Sequence, residues 1–269
     1  VEEHDDGSVS CTVGTMDLTS RTQWRVKIIL PPDKAYFITQ STWYNPTPHH
    51  QAYYNWMTAA ARASDDLEFF YPGNAYLGHP GDLHPWPIDK EGRDLSLYQN
   101  NNFGGSKSYH VVGNYHNYFG GYWDEKELGF GHWARYDDMP GQKLWIWALS
   151  RSGGIWEELL TDTDGQYIEF QAGRLLTQYS YNADKNPITE VAFGPYVTDQ
   201  WEERWFPIKK LGSVSGVSSS GAILVEEEAG LVKVSFNAFE EIDDTLVVTS
   251  EGSKILHQEA VNVNPMEVF

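Results

Sequence analysis

Short segments in which polar and apolar residues alternate recur along most of this chain, and they constrain its fold more than any other feature. Four of them are "SVSCTVGTMDL" (8–18), "QWRVKIILPP" (23–32), "AYFITQSTWYN" (35–45) and "KLWIWALS" (143–150). They are rich in β-branched and aromatic residues, and period-two alternation places every second side chain on one face of a strand. The sequence therefore predicts an all-β, antiparallel fold.

A few segments depart from this pattern. "NWMTAAARAS" holds four alanines and predicts a short helix near residues 55–63. Residues 71–108 contain Gly, Pro, Asn and Asp at close intervals, which is typical of loops. "RSGG" (151–154) predicts a turn, and Asp164-Gly165 before an alternating segment predicts a β-hairpin.

The composition changes near residue 212. "GSVSGVSSSG" (212–221) is rich in Gly and Ser and predicts a flexible connection. Beyond it, short strands separated by turns predict a small β-sandwich module. We therefore expect two units, residues 1–212 and 213–269. The second unit lacks tryptophan, so we expect the chemistry in the first.

The charge and the aromatic content narrow the possible ligands. The formal net charge of −19 repels phosphate backbones, so nucleic acid is not an expected partner. Aromatic residues make up 14% of the chain, which suits uncharged, hydroxyl-rich ligands such as mono- or oligosaccharides. Solubility alone is the alternative explanation of the acidity. No apolar run reaches the roughly 18 residues of a membrane span.

Cys11 is the only cysteine, which excludes an intrachain disulfide and a thiolate metal cluster. A reducing compartment fits this, but exported bacterial proteins also lack disulfides, so cytoplasm and periplasm both stay open. The chain begins with "VEEHDDGSVS" and ends with "NPMEVF", and we expect it to be part of a longer protein.

The segment "QYIEFQAGR" (166–174) contains the first candidate for chemistry. Alternation places Tyr167, Glu169 and Gln171 on one face of a strand, with Ile168 and Phe170 on the other. Such a polar face is either solvated or a binding surface for a sugar.

A second carboxylate is expected in "GGIWEELLTDTDG" (153–165). Glu157 follows Trp156, whose indole can stack on a sugar ring while the carboxylate binds its hydroxyls. Asp162 and Asp164 flank the predicted turn and are expected to form it. A carboxylate pair would permit glycoside hydrolysis.

The histidines form a further set of candidates. They include His50 in a loop bounded by prolines, and His116 in an aromatic run. None has a spacing typical of zinc sites, so we expect no metal and no cofactor. Proton transfer, hydroxyl binding and structural hydrogen bonding remain open for them. Trp133 is a candidate for stacking on a ligand.

Three motifs in this order resemble the galactose mutarotase-like (aldose 1-epimerase-like) superfamily. They are the strands that lead to "YNPTPHHQAYYN" (44–55), "GNYHNYFGGYW" (113–123) and "QYIEFQAGR". The run from "GHWARYDD" to "QAGRL" (131–175) is similar to an uncharacterised bacterial domain family found ahead of tetratricopeptide repeats.

The resemblance implies a β-supersandwich, two large antiparallel sheets with a sugar on a concave face. Its opening strands have no counterpart here, which implies an exposed sheet edge. By motif position, Glu169 corresponds to the catalytic base and His116 to a motif histidine. Tyr115 stands where the family has a sugar-binding Asp. The family's acid histidine falls on Gln51.

The resemblance also implies substrate-binding positions at Asn45 and at His50, which lies beside Gln51. An aromatic side chain from residues 115–133 is expected to face Glu169. These features predict a carbohydrate-active enzyme, either a glycoside hydrolase or a sugar epimerase. The alternatives are a glycan-binding module and a structural β unit that presents a repeat array.

Overall fold

The computed structural model describes residues 1–176 and 191–269, and these residues form twenty-one β-strands and one α-helix. In chain order the strands are β1 (Glu2–Glu3), β2 (Val9–Met16), β3 (Gln23–Leu30), β4 (Phe37–Tyr44), β5 (Gln51–Tyr53), β6 (Trp56–Arg62), β7 (Leu67–Phe70), β8 (Ala75–Leu77), β9 (Leu83–Pro85), β10 (Lys107–Val112), β11 (Tyr118–Trp123), β12 (Leu128–Trp133), β13 (Lys143–Ile146), β14 (Tyr167–Gly173), β15 (Val191–Phe193), β16 (Thr198–Lys209), β17 (Gly216–Val217), β18 (Gly221–Glu228), β19 (Leu231–Ala238), β20 (Ile242–Thr249) and β21 (Ile255–Val263). Helix α1 spans Arg151–Leu160.

Two antiparallel sheets form the body of the protein and confirm the all-β, antiparallel prediction. The larger has eight strands in the order β1-β2-β3-β4-β16-β12-β11-β7. The smaller has six strands in the order β6-β14-β13-β10-β8-β9. Strands β5 and β15 form a separate antiparallel pair.

The core lies between these two sheets. Ile168 and Phe170 of β14 are 0% and 1% exposed. Phe170 contacts the rings of Phe119 and Phe130 from the larger sheet, with centroids 5.8 and 5.9 Å away. Burial of such a side chain stabilises the fold by about 1.5–3 kcal/mol, so this alternation fixes which face of β14 points inward.

Residues 56–62 form strand β6, and the predicted helix at 55–63 is wrong. Strand β6 pairs with β14 along its whole length. Met57, Ala59 and Ala61 pack against the core, whereas Thr58 and Ala60 are exposed. The helix propensity of alanine is a weak preference, and pairing with a core strand outweighs it.

The helix lies instead at residues 151–160, where the sequence predicts a turn. The carbonyl of Ser150 accepts hydrogen bonds from the backbone N–H groups of Gly153 and Gly154 at the start of α1. Asp164 and Gly165 then connect α1 to β14, so the predicted hairpin is also wrong. Gly165 has a φ of +97°, which suits a turn of either kind.

The C-terminal strands pack on the face of the larger sheet that points away from the core. Strands β17, β18 and β19 form one sheet, and β20 and β21 form another. The ring of Phe239 stacks on Phe206 of β16 with centroids 4.5 Å apart. Val214 and Val217 pack against the same cluster, so the Gly/Ser-rich segment is anchored and the predicted flexible connection is wrong. The boundary between residues 212 and 213 stays a prediction.

Within the two described stretches of chain, no helix has the length and apolar character needed to cross a membrane.

Candidate functional site

Strand β14 presents Tyr167, Glu169 and Gln171 on the side of the six-stranded sheet that points away from the core, here called the Glu169 face. The intervening residues Ile168 and Phe170 belong to the core, so the predicted alternation is confirmed. Tyr167 and Gln171 are 6% and 5% exposed, and Glu169 is partly exposed. This face is therefore half-enclosed.

Strand β13 adds a cation and an indole to this face. Lys143 lies opposite Gln171 and Trp145 lies opposite Glu169 in the β13–β14 ladder. Directly paired and diagonal residues on one face of a sheet lie close enough for their side chains to interact. Lys143 is therefore the diagonal neighbour of Glu169.

Both carboxylate oxygens of Glu169 accept hydrogen bonds from neutral donors. Nε1–H of Trp147 donates to Oε1 over 3.2 Å, and Nε2–H of Gln171 donates to Oε2. Burial raises the pKa of Tyr167 to about 12, and the adjacent Glu169 carboxylate contributes to this shift. These neighbours fix the orientation of the carboxylate.

Trp56, from the edge strand β6, extends the hydrogen-bonded chain. Its Nε1–H donates to Oε1 of Gln171, so Trp56, Gln171 and Glu169 are linked in series. A Cβ atom at Gly173 would overlap the indole of Trp56. Glycine at this position therefore lets the ring lie flat against the sheet.

Lys143 is 1% exposed and lies between two indoles. Its Nζ is 5.3 Å from the ring centroid of Trp56 and 5.1 Å from that of Trp145, within cation–π distance. Burial lowers the pKa of Lys143 to about 8, and the Glu169 carboxylate opposes this shift. The ammonium group can therefore release a proton close to neutral pH.

Strand β10 supplies buried polar groups next to Lys143. His110 and Ser108 are 1% and 5% exposed. Both ring nitrogens of His110, Oγ of Ser108 and Nε1 of Trp145 have no hydrogen-bond partner among the described residues. Burial, reinforced by Lys143 and His79, holds the pKa of His110 well below its usual range. His110 is therefore a neutral imidazole whose two nitrogens can bind hydroxyl groups.

Helix α1 brings Trp156 to the same region. Its ring packs against Trp147 with centroids 5.3 Å apart, and Trp147 is the hydrogen-bond donor to Glu169. Glu157 is half-buried beside Trp156. No hydrogen bond joins Glu157 to Glu169 within the part of the chain that the structure describes.

Three other predicted site residues have their described contacts or exposure away from the side chains bonded to Glu169. The ring of His116 packs against Tyr118, with centroids 5.5 Å apart. Tyr118 and Trp133 pack in the cluster beneath the C-terminal strands. Tyr115 is 85% exposed. Trp133 therefore lies in a different layer from Glu169, and a role of His116 and Tyr115 at the site stays a prediction.

Asn45 and His50 are the two residues that the family resemblance placed at substrate-binding positions. Asn45 is fully buried, and its Nδ2 donates to the carbonyl oxygens of His49 (2.8 Å), Phe193 (3.1 Å) and Gly194 (2.8 Å). These bonds join two loops and consume its donors. His50 is exposed at the surface. Neither residue is in contact with the Glu169 face.

The indole that donates a hydrogen bond to Glu169 is that of Trp147, and two of the aromatic residues in the predicted range 115–133, Phe119 and Phe130, lie on the other face of β14. Phe119 and Phe130 contact Phe170 on the core side of β14. Successive strand residues point to opposite faces, so rings that touch Phe170 are on the other side of the sheet from Glu169.

Some of the residues on the Glu169 face that the sequence analysis did not name could have been identified from the sequence. In "KLWIWALS", Lys143, Trp145 and Trp147 alternate with apolar residues in the same way as the residues around Glu169. The sequence of β13 therefore also predicts a polar and aromatic face. Trp56 and His110 carried no such signal, because long-range pairing alone brings β6 and β10 to this face.

No group of three or more His, Cys, Asp or Glu side chains among the described residues is arranged to hold a metal ion. The site residues on the Glu169 face are one carboxylate, one ammonium group, a neutral imidazole and indoles. This set suits proton transfer and the binding of hydroxyl groups.

A cavity of about 320 Å³ lies on the core side, next to β6. Its wall includes four indoles, those of Trp24, Trp43, Trp56 and Trp201. It also includes Glu203, which accepts a hydrogen bond from Nε1–H of Trp201 over 2.9 Å and lies 2.8 Å from Nε2 of His132. Of the groups around Glu169, only Trp56 lines this cavity.

A family model matches residues 1–208 of the chain, and the family is described as "Domain of unknown function (DUF5107)". This match covers most of the two large sheets, including β14 and the Glu169 face.

Two solved structures are similar to the protein. One is a TPR-domain containing protein from Parabacteroides distasonis, with a TM-score of 0.65 and 19% identity over 86% of this chain. The other is a galactose mutarotase-like protein from Lactobacillus casei, with a TM-score of 0.51 and 13% identity over 77% of this chain. The chain spans 38% of the first structure and 71% of the second. The fold is therefore galactose mutarotase-like.

Proposed function

Because the chain belongs to this family of unknown function, DUF5107, we propose its function from the site: it is a carbohydrate-active enzyme that uses Glu169 to transfer a proton. The observation that carries the proposal is the Glu169 carboxylate, oriented by Trp147 and Gln171 and adjacent to the buried ammonium group of Lys143.

The chemistry of the face favours a sugar as the ligand. Indoles offer flat apolar surfaces to the C–H face of a sugar ring. His110, Ser108 and Glu169 offer donors and acceptors for its hydroxyls. The net charge of −19 opposes anionic ligands. The similarity to a galactose mutarotase-like protein supports the same class of ligand.

Glu169 and Lys143 suit the base and the acid of a ring-opening reaction. Glu169 accepts the proton of the anomeric hydroxyl, the bond from C1 to the ring oxygen breaks, and a carbonyl forms at C1. Lys143 donates a proton to the ring oxygen. Closure on the other face of the carbonyl reverses both transfers and yields the other anomer. Lys143 takes the part that the family's acid histidine, absent at Gln51, would otherwise play.

Glycoside hydrolysis is the second reaction of this class. It requires two carboxyl groups, about 5–5.5 Å apart for retention or about 6.5–9.5 Å apart for inversion. Glu157 is the nearest candidate in sequence, and Trp156 beside it contacts the indole that binds Glu169. The Glu169–Lys143 pair supports epimerisation more directly, because it needs no second carboxylate.

A glycan-binding module is the alternative from another class. The burial of Lys143 at 1% exposure favours it, since a buried ammonium group has little access to a reacting ring oxygen. The third possibility is a structural β unit that presents a repeat array. The similarity to a TPR-domain containing protein supports a longer chain of that kind.

Calorimetry and product detection on one panel of mono- and oligosaccharides separate these functions. Sugar binding with exchange between anomers, measured by nuclear magnetic resonance, supports the epimerase. Release of shorter sugars supports the hydrolase. Binding without either reaction supports the module, and no binding at all contradicts every carbohydrate function.

A further inference from the structure

The indoles around Glu169 are more numerous than a single sugar ring can use. Trp145 and Trp147 have ring centroids 5.2 Å apart, and Trp147 and Trp156 have centroids 5.3 Å apart. Lys143 connects Trp56 to Trp145 through its two cation–π contacts. We call Trp56, Trp145, Trp147 and Trp156 the aromatic strip. All four are partly exposed.

The reacting groups lie within one part of this strip. Glu169 is bound by Trp147 on one oxygen and, through Gln171, is linked to Trp56 on the other. A sugar unit that reaches both Glu169 and Lys143 therefore lies between Trp56 and Trp147. Trp156 projects from helix α1 and contacts Trp147, and no ring contact joins it to Trp56 or Trp145 among the described residues. It is beyond this sugar unit.

Trp156 has the surroundings of a second sugar position. Glu157, the next residue of the helix, is half-buried beside it and carries a carboxylate that can accept hydroxyl hydrogen bonds. On the inner side, Glu169 offers a partly exposed carboxylate to hydroxyl groups, and the buried side chains of Ser108 and His110 have no hydrogen-bond partner among the described residues. Both ends of the strip therefore combine indoles with groups that bind hydroxyls.

The charges near the strip favour a neutral ligand. The cation Lys143 has an opposite charge nearby in Glu169, and the chain as a whole is strongly acidic. A phosphorylated or carboxylated sugar would gain an attraction to Lys143, but the negative net charge of the protein would repel it.

We propose that the natural ligand is a neutral oligosaccharide of two or more linked sugars, in which the unit next to the one at Glu169 stacks on Trp156. This inference rests on the proposed function and specifies its substrate class. The strip orients the chain so that one unit is held against Glu169 and Lys143.

The test is a series of calorimetric affinity measurements with sugars of increasing chain length, here called the ladder. The probes are glucose, galactose and mannose, each with its β-1,4- and α-1,4-linked di-, tri- and tetrasaccharides. For the preferred series, affinity should rise by about tenfold or more from mono- to disaccharide, the scale of one added aromatic contact with its buried area.

Two variants make the test specific. Trp156→Ala should abolish the gain from mono- to disaccharide, so that disaccharide affinity falls by more than monosaccharide affinity, and Trp156→Phe should restore part of the gain. Trp133→Ala is the matched control, because Trp133 packs beneath the C-terminal strands and should not affect the ladder.

Three results would overturn the inference. These are equal affinity at all lengths, equal loss of mono- and disaccharide binding in Trp156→Ala, and no binding of any sugar. Equal affinity at all lengths with turnover that depends on Glu169 refutes only the oligosaccharide inference. A ladder that depends on Trp156 without turnover supports it and refutes the enzyme.

Discussion

Lys143 and Glu169 carry opposite charges on adjacent strands of the same sheet face, offset by one pair in the β13–β14 ladder. The carboxylate opposes the loss of the Lys143 proton, but burial has the larger effect and lowers the pKa of Lys143 to about 8. A buried lysine whose pKa is strongly lowered, beside a carboxylate and among indoles, is an arrangement found more often at functional sites than in ordinary surfaces.

Replacement of Glu169 by Gln should reduce turnover by about a hundredfold or more, the usual scale for loss of a general acid or base. Glutamine has nearly the same shape as glutamate, and its side-chain oxygen can still accept the hydrogen bond from Nε1–H of Trp147. Sugar affinity should therefore change much less than turnover. Steady-state kinetics and calorimetry on the same preparation measure both, and an unchanged rate would exclude Glu169 as the base.

Activity should decline as the pH rises through about 8, because Lys143 donates a proton only in its charged form and its pKa is about 8. Lys143→Arg keeps a charge that does not titrate in this range, so this alkaline decline should disappear in it. Lys143→Met should have a low rate at every pH. A pH–rate profile that is the same in the wild type and Lys143→Arg would contradict the role of Lys143 as the acid.

Lys143 should also make stability depend on pH. Its folded pKa of about 8 is below the ordinary value of 10.5, so the unfolded chain holds this proton more tightly. Below pH 8 both states are protonated, and the folded state bears a cost of about 3 kcal/mol. That cost should diminish as the pH rises from about 8 to 10.5.

Urea unfolding of the wild type and of Lys143→Met measures this effect as a difference. The variant should be the more stable below pH 8, and its advantage should shrink towards pH 10. A difference that stays constant over this range would show that Lys143 has the same pKa in both states.

Gly173→Ala should displace the indole of Trp56, because the added Cβ would overlap that ring. The bond from Trp56 to Gln171 would then be lost, and sugar affinity should fall by about tenfold, equivalent to one hydrogen bond and its contacts. Gly105→Ala is the matched control, since a Cβ there meets no atom within 4 Å. Equal affinities in both variants would contradict the role of Trp56.

Glu203→Ala should lower the free energy of unfolding by about 3–5 kcal/mol, the scale for removing one partner of a buried pair. Glu203 and His132 have side-chain exposures of 2% and 0%, and Trp201 would lose its acceptor as well. Glu202→Ala, at the exposed neighbouring residue, should cost at most about 1 kcal/mol. Chemical denaturation of both variants checks this, and comparable losses would contradict it.

The strand alternation around Glu169 was predictable because it is a local property. Burying Ile168 and Phe170 leaves only one direction for Tyr167, Glu169 and Gln171, whatever the rest of the chain does. Burial of Leu144 and Ile146 leaves only one direction for Lys143, Trp145 and Trp147 as well, so the sequence also predicts that these three share the face turned away from the core. The antiparallel all-β fold follows from many repetitions of this one pattern.

The pairing of strands was not a local property, and the errors follow from that. The alanines of residues 59–61 suit a helix or a strand, and β14 decides between them by offering hydrogen bonds and a core. Trp133 and Glu169 both lie in strand-rich motifs, but Trp133 packs in the outer cluster of the larger sheet, whereas Glu169 lies on the smaller sheet. Sequence order contains no measure of which layer a side chain faces.

The sequence by itself determined the fold class, the face of β14 that carries Glu169, and the net charge of −19. The tertiary structure alone decided that Lys143, His110 and Trp56 surround Glu169, and that Trp133 and Asn45 pack elsewhere. The physical reason is that side-chain direction is set by each strand's own alternation, whereas neighbours across strands are chosen by burial and hydrogen bonding summed over both sheets.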